Sequence, residues 1–461
     1  MATITGSARR GRSDLAEYVA AIRAFSRNAR LYLVHIVGMD LIHGTWEVLF
    51  NLYLLALFTP EHGVLVFGYH LHPIEFVGLR LAVGAIASGI GSIPAGLLSD
   101  RIGRKASFII GDGGGALIAL LNVLITNPVF LLCTPLVSSV MGSLHHVAET
   151  AFMAENSEPR ERVHLFSVGH SLSTAVGVAG SLIAASYPAL VAWVGDHLVA
   201  YRVATFAGIA LWFLSLIPAL MLREHHAPAL AAGPANRVDA EGAPSRRVSI
   251  GLRSIRHPAL VAKLVATGAL MSVASAAALP FLNVFFHEHL HADEHEIGVT
   301  FAAIAGFVAF GSLLAPFVAA RMNKVDGVVA VRVLAVPFVL ALGFFPEAAA
   351  GAGVGLSLAG VLVAMRAILM SVSGPLAEAF AMEVLDPSER ATMVGIQSAA
   401  SSVLRAGAAF LGSTWMARGD FQSPFVVAAA CYLGSVALFW LFFRRSEPRL
   451  AVEFAPARVG A

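Results

Sequence analysis

Twelve apolar runs, each of about 20 residues, fix most of what this chain can fold into. They fall near 31–58, 73–99, 106–126, 129–151, 164–187, 199–222, 259–286, 297–320, 328–345, 352–378, 393–417 and 422–443. A run of that length crosses the hydrocarbon of a bilayer as a helix. Backbone inside lipid must satisfy its own hydrogen bonds, so the expected fold class is an all-α membrane protein with twelve transmembrane helices. Composition agrees: 57% of the 461 residues are hydrophobic and 13% are charged, about half the charged share of soluble domains. Cys133 and Cys431 lie inside apolar runs and read as packing residues, with neither a disulfide framework nor a cysteine-bound metal implied.

The few charges are placed as topology signals. Lys and Arg mark the N-terminal tail, 100–105, 160–162, 223–258, 321–324, Arg390 and the tail from Arg444, whereas the loops between these contain only Arg418. The positive-inside rule then puts both termini in the cytoplasm, which demands an even number of spans. A net charge of +2 gives no reason to expect a nucleic-acid partner. No secretory signal is read in the first 30 residues, where Leu15, Tyr18, Ile22 and Phe25 would share one face of a short interfacial helix.

One long polar stretch, 223–258, reads as a cytoplasmic linker between a bundle at 31–222 and another at 259–445, flanked by tails 1–30 and 446–461. The halves repeat. Ala151-Phe-Met-Ala-Glu-Asn-Ser-Glu-Pro-Arg-Glu-Arg162 pairs, 228 residues on, with Ala379-Phe-Ala-Met-Glu-Val-Leu-Asp-Pro-Ser-Glu-Arg390, six of twelve positions being identical. Each copy ends the fourth helix of its half.

Between the second and third runs lies Gly96-Leu-Leu-Ser-Asp100-Arg101-Ile-Gly103-Arg104-Lys105. Gly103 would supply the turn, Gly96 a close helix approach, and Arg101 or Arg104 would hold Asp100. The spacing G-x-x-x-D-R-x-G-R-K resembles the signature between helices 2 and 3 of the major facilitator superfamily, and the resemblance covers residues 31 to about 445. In the second half it decays to Ala319-Ala-Arg-Met-Asn-Lys324, without the acid. The resemblance implies two pseudo-symmetric six-helix bundles, a central site lined by helices 1, 4, 7 and 10, and alternating access. It also implies that Gly96, Asp100, Arg101, Gly103, Arg104 and Lys105, with Glu155 and Arg162, form a conformational latch.

Ionisable groups inside apolar runs cost at least about 2.5 kcal/mol at the bilayer centre, so each needs a reason. Asp40, His43, Glu47 and Asn51 fall within an arc of about 80° on the first helix. The equivalent seventh helix has no ionisable residue between Lys263 and His287. A stripe required by the fold would leave a trace in the duplicate, which points Asp40, Glu47 and His43 toward proton coupling. His145, His146 and Glu149 on the fourth helix and His170 on the fifth extend the set, and Arg366 and Arg405 lie deep in the tenth and eleventh. Candidate substrate contacts are Arg366, Asn51, His146, Glu149 and Asn283.

The expected function is a proton-coupled secondary transporter for a small organic solute, anionic because of Arg366. No enzyme, cofactor or nucleic-acid partner is expected, and a monomer in a bacterial cytoplasmic membrane is. Two alternatives stand beside it: a divalent-metal transporter using Asp40 and His43, and a receptor on the same fold that moves nothing. The outer loop 287–296, with four histidines and four acids, reads as a solvated loop, with collection of divalent cations as the alternative.

Overall fold

The computed structural model describes residues 25–223, 256–312, 321–346, 354–386 and 389–445, apart from the side chains of 159–163, 310 and 390–391. The expected tail helix before residue 25 and nearly all of the linker lie outside the described residues. Among the described residues twelve principal helices follow in order. They are α1 (Arg27–Leu57), α2 (Pro73–Ile102), α3 (Arg104–Leu124), α4 (Pro128–Glu155), α5 (Pro159–Ala185) and α6 (His197–Leu220). In the second half come α7 (Pro258–Ala276), α8 (Glu294–Ser312), α9 (Lys324–Gly343), α10 (Val354–Val384), α11 (Arg390–Ala417) and α12 (Gln422–Phe443). This is the fold expected from the sequence: an all-α membrane protein of two pseudo-symmetric six-helix bundles.

Among the described residues ten helical segments are long and apolar enough to cross a membrane. The other two principal helices are α8, described only to Ser312, and α11, whose apolar surface is diluted by Gln397, Ser398, Ser401, Ser402 and Arg405.

The helix starts follow from local chemistry. Ser26, Asn127 and Asp196 each accept the N–H three residues on, at 3.1, 3.0 and 2.8 Å, satisfying donors that the helix itself cannot. Pro128, Pro159 and Pro258 occupy first-turn positions where no N–H is needed. Gly103, at φ 90°, makes the α2–α3 turn in a conformation that side chains rarely adopt.

Two departures appear. A short antiparallel hairpin, β1 (Val64–Val66) with β2 (Tyr69–Leu71), sits between α1 and α2. The seventh span is not one helix: after Ala276 it passes through a 3-10 turn at Leu279–Phe281 and a π turn at Phe285–His289. Pro280 explains the break, since it supplies no N–H to the helix ladder.

The chain forms two compact units. The first draws on α1, α3 to α6, α2 from Ile90, and α8 up to Gly306; the second on α2 up to Gly89, α7, α8 from Phe307, and α9 to α12. The core of the first includes Phe25, Tyr32, Phe108, Phe152 and Leu165, and that of the second Val328, Phe380, Phe439 and Phe443.

Candidate functional site

The polar stripe of α1 forms, but its members differ in surroundings. Asp40 is half-buried and hydrogen-bonds the Ser173 hydroxyl of α5. His43 sends Nδ1 to the Met39 carbonyl at 2.9 Å and lies against the Trp212 ring of α6, with centroids 5.4 Å apart. Glu47 projects to the exposed side and Asn51 is half-buried. His170, on α5, is exposed.

A second group sits behind the stripe, and sequence reasoning did not assemble it. His35 of α1 and Asp112 of α3 join His145 of α4, all three 2% exposed or less. His35 Nε2 and His145 Nδ1 approach the same oxygen, Asp112 Oδ2, at 2.9 and 2.8 Å. His35 Nδ1 reaches the Ser215 carbonyl of α6 at 2.8 Å, and the Tyr32 hydroxyl lies 3.4 Å from His145 Nε2. Glu149, one turn on, is 4.0 Å from His145 and 3.6 Å from His146. His146 itself is 74% exposed, so of the two neighbouring histidines only His145 enters the interior.

The second half repeats this buried layer in different chemistry. Arg332, 7% exposed, follows Asp112 by 220 residues; Ser373 follows His145 by 228, and Ser435 follows Ser215 by 220. Arg332 donates from Nε to the Ser373 hydroxyl at 3.1 Å, as His145 meets Asp112. The Ser435 hydroxyl donates to the Thr267 carbonyl at 2.9 Å, tying α12 to α7 as Ser215 ties α6 to α1. The 228-residue period read from the sequence links only His145 to Ser373; the other pairs stand at offsets of 220, so only the packed helices reveal the layer.

Arg366 points to α12, where its Nη2 donates to the Tyr432 hydroxyl and its guanidinium lies 5.8 Å from that ring. Its Nε is buried with no hydrogen-bond partner. Among the described residues neither Arg366 nor Arg332 has a carboxylate at ion-pair distance. Arg405 is exposed. Asn283 is buried in the break after α7.

In the α2–α3 hairpin one cation gathers the contacts. Arg104 bonds the Ser99 hydroxyl and Asp100 at 2.9 Å each, and Glu155 at the end of α4 at 3.3 Å. Arg101 is exposed, Lys105 is half-buried, and Gly96 faces Val147 at an ordinary 3.7 Å. Arg162 lies on α5, with its side chain outside the described residues. The Arg104–Glu155 tie recurs as Lys324–Glu383 between α9 and α10. A contact present in both halves belongs to the fold, whereas Asp100 has no acidic counterpart. Both ties are partly exposed, so Glu155→Gln and Glu383→Gln are each expected to cost no more than about 1 kcal/mol. Asp100→Asn should leave insertion and melting temperature unchanged while slowing transport; a wild-type rate would reduce Asp100 to a topology signal.

In the loop 287–296 histidine side chains are bound to backbone carbonyls. His287, His289 and His295 bond the carbonyls of Ala292, Phe345 and Ala185 at 3.2, 3.0 and 2.8 Å, and Glu294 accepts the Tyr201 hydroxyl at 2.7 Å. Trios of metal-binding residue types occur among the described residues at His35–Asp112–His145 and His145–His146–Glu149, neither including Asp40 or His43. Tetrahedral zinc, with bonds of about 2.0–2.1 Å, would separate ligand atoms by about 3.3 Å. The 2.8 and 2.9 Å contacts in the buried trio are hydrogen bonds closed around one oxygen.

Known structures share this architecture. The nucleoside transporter NupG superposes with a TM-score of 0.62 at 15% identity, covering 91% of this chain and 100% of its own. A D-xylose-proton symporter gives 0.61 at 14%, covering 90% and 97%. A bacterial homologue of the iron transporter ferroportin, inward-facing, gives 0.62 at 15%, covering 90% and 98%. At these identities the likeness is one of fold. No curated protein sequence matches the chain. The family model of the Major Facilitator Superfamily matches residues 44–373, well over half of the sequence. With the twelve-helix duplicated fold and the α2–α3 signature already in place, the chain belongs to the major facilitator superfamily of membrane transporters.

Proposed function

We propose that the protein is a proton-coupled secondary transporter of a small organic solute bearing an anionic group, working by alternating access. The observation that carries the reading is the division of charge between the two halves. Helices α1, α3 and α4 bring Asp40, Asp112, Glu149 and four histidines into one unit, and of these His35, Asp112 and His145 lie in its buried interior. In the other unit Arg332 is buried and Arg366 half-buried, neither with a carboxylate at ion-pair distance among the described residues, and the buried Nε of Arg366 has no hydrogen-bond partner. Arginine cannot shed its proton, so that charge invites an anion. Asn283 is the candidate solute contact beside Arg366 in that unit, and Asn51, His146 and Glu149 are the candidates of the other. A nucleoside transporter, a D-xylose-proton symporter and a homologue of an iron transporter share the architecture, so the fold does not choose the solute.

A thermal-shift screen of the purified protein tests this with sugars, nucleosides, mono- and dicarboxylates, phosphate monoesters and divalent cations. An organic anion should raise the melting temperature, by an amount equivalent to about 2.7 kcal/mol at a hundredfold excess over Kd. Stabilisation by divalent cations alone would replace the reading with metal transport. Orientation is tested separately, in a background lacking Cys133 and Cys431. A cysteine at the exposed position Asp293 should react with an impermeant reagent applied from outside, and one at Ala240 should not. The reverse result would place the termini outside.

A further inference from the structure

The hydrogens of the buried trio can be counted. Ser215 offers a carbonyl oxygen, which only accepts, so at 2.8 Å His35 Nδ1 must carry a hydrogen. The contacts from Asp112 Oδ2 to His35 Nε2 and to His145 Nδ1, 2.9 and 2.8 Å, each need a hydrogen too, or lone pairs would face one another. A neutral His145 supplies one from Nδ1 and leaves Nε2 to accept from Tyr32. A neutral His35 has already given its only ring hydrogen to Ser215. The remaining contact therefore holds a proton beyond those of two neutral imidazoles and an ionised carboxylate. Whether it sits on His35 Nε2 or on Asp112, the trio is net neutral, the state that a membrane interior favours.

The fold does not require this chemistry. The second half ties α7 to α12 and α9 to α10 through Thr267, Ser435, Arg332 and Ser373, none of which titrates near neutral pH. An ionisable trio in one copy alone, where hydroxyls and an arginine suffice in the other, is an addition to the architecture. It also has a way out: His145 Nε2 faces Tyr32 and Glu149, and Glu149 is 30% exposed. Asp40 and His43 on α1, and His146 on α4, are the other titratable groups close enough to act on it.

We infer that His35, Asp112 and His145 form a proton-binding site, which holds one exchangeable proton between Asp112 and His35 and communicates with the surface of its unit through His145, Tyr32 and Glu149. Release leaves Asp112 ionised beside a bare His35 Nε2, and the departing proton passes to the Glu149 carboxylate. The site deepens the coupling proposed above and rests on it only for the use of the proton. The number of protons bound is measured without transport, so the two fail separately.

The test is proton uptake by the purified full-length protein after an acid jump from about pH 9 to about pH 5, the window in which an imidazole or a shifted carboxyl titrates, read with an indicator dye. Asp112→Asn should take up one proton fewer than wild type. The double variant Asp112→Asn with His35→Gln should lose no more than that one, because the proton belongs to the pair. Asp112→Glu should keep it. Unchanged uptake by Asp112→Asn, or a loss of two in the double variant, overturns the site. If the variants fail gel filtration, wild-type protein labelled with 15N-histidine gives a second reading. Two far-downfield shared ring protons are expected at the acid end and one at the alkaline end, and an equal number at both ends is the contrary result.

Discussion

Proteoliposomes carrying Asp40→Asn are expected to exchange solute down its own gradient but to lose accumulation driven by an imposed pH gradient. Asparagine has nearly the shape of aspartate and keeps an acceptor for the Ser173 hydroxyl, so α1 and α5 should stay packed. What it lacks is a proton to release. With one proton moved per solute, one pH unit supplies about 1.36 kcal/mol, or tenfold accumulation. The variant should therefore fall from about tenfold to parity for each pH unit imposed, with exchange within a few-fold of wild type. Asp40 is the expected carrier because His43 stands one turn away, close enough to relay or tune the proton, while Glu47 opens to the exposed side. A reversed pair of results, with Asp40→Asn still concentrating and Glu47→Gln inactive, moves the carrier to Glu47. If both variants remain coupled, the stripe is structural and coupling lies with the buried trio behind it.

Features written along one helix were legible in the sequence. Apolar runs placed the helix starts within a few residues, because length and apolarity are enough to specify a span, but the seventh helix ends at Ala276 and not near 286. The turn at Gly103 and the repeated segment ending in Arg162 and Arg390 were equally local. Asp112 was hidden by its setting: a single acid among glycines in Phe108-Ile-Ile-Gly-Asp-Gly-Gly-Gly115 shows no periodicity. His35 lies about 140° round α1 from Asp40, at 100° per residue, and so belongs to the face opposite the conspicuous stripe. Each helix contributes one polar residue to the trio, and only packing in three dimensions gathers them. Arg366 was found, but its direction was not: no pattern on α10 says that it turns to Tyr432 on α12. The break after α7 was announced only by Pro280, and membrane helices carry many prolines without breaking; Pro94, Pro135, Pro218, Pro337 and Pro375 all lie inside helices here.

Both halves should fail to fold when a single methyl is added at one crossing. A Cβ on Gly180 of α5 would stand 2.3 Å from the Leu41 carbonyl oxygen of α1, and one on Gly412 of α11 would stand 2.0 Å from that of Ala277, at the end of α7. These two glycines are 232 residues apart, the spacing that also relates His35 to Thr267, so the same crossing is built twice. Without a hydrophobic drive between helices in lipid, close backbone approach is what association depends on, and Thr45 uses it to bond the Gly180 carbonyl at 3.0 Å. The obstacle in each case is backbone, which cannot rotate aside as a side chain would. Gly180→Ala and Gly412→Ala are therefore expected to destabilise by at least about 3 kcal/mol, at the upper end of overpacking costs, and to shift the protein toward aggregate in gel filtration. Gly177 and Gly407, on the same two helices, have open space where a Cβ would go. Their alanine variants should be neutral or more stable by up to about 1 kcal/mol, since alanine is the better helix former. Equal behaviour of all four would mean that the crossings relax freely. Failure of Gly180→Ala alone would mean that the duplicated crossing is needed in only one half, although both halves inherit it.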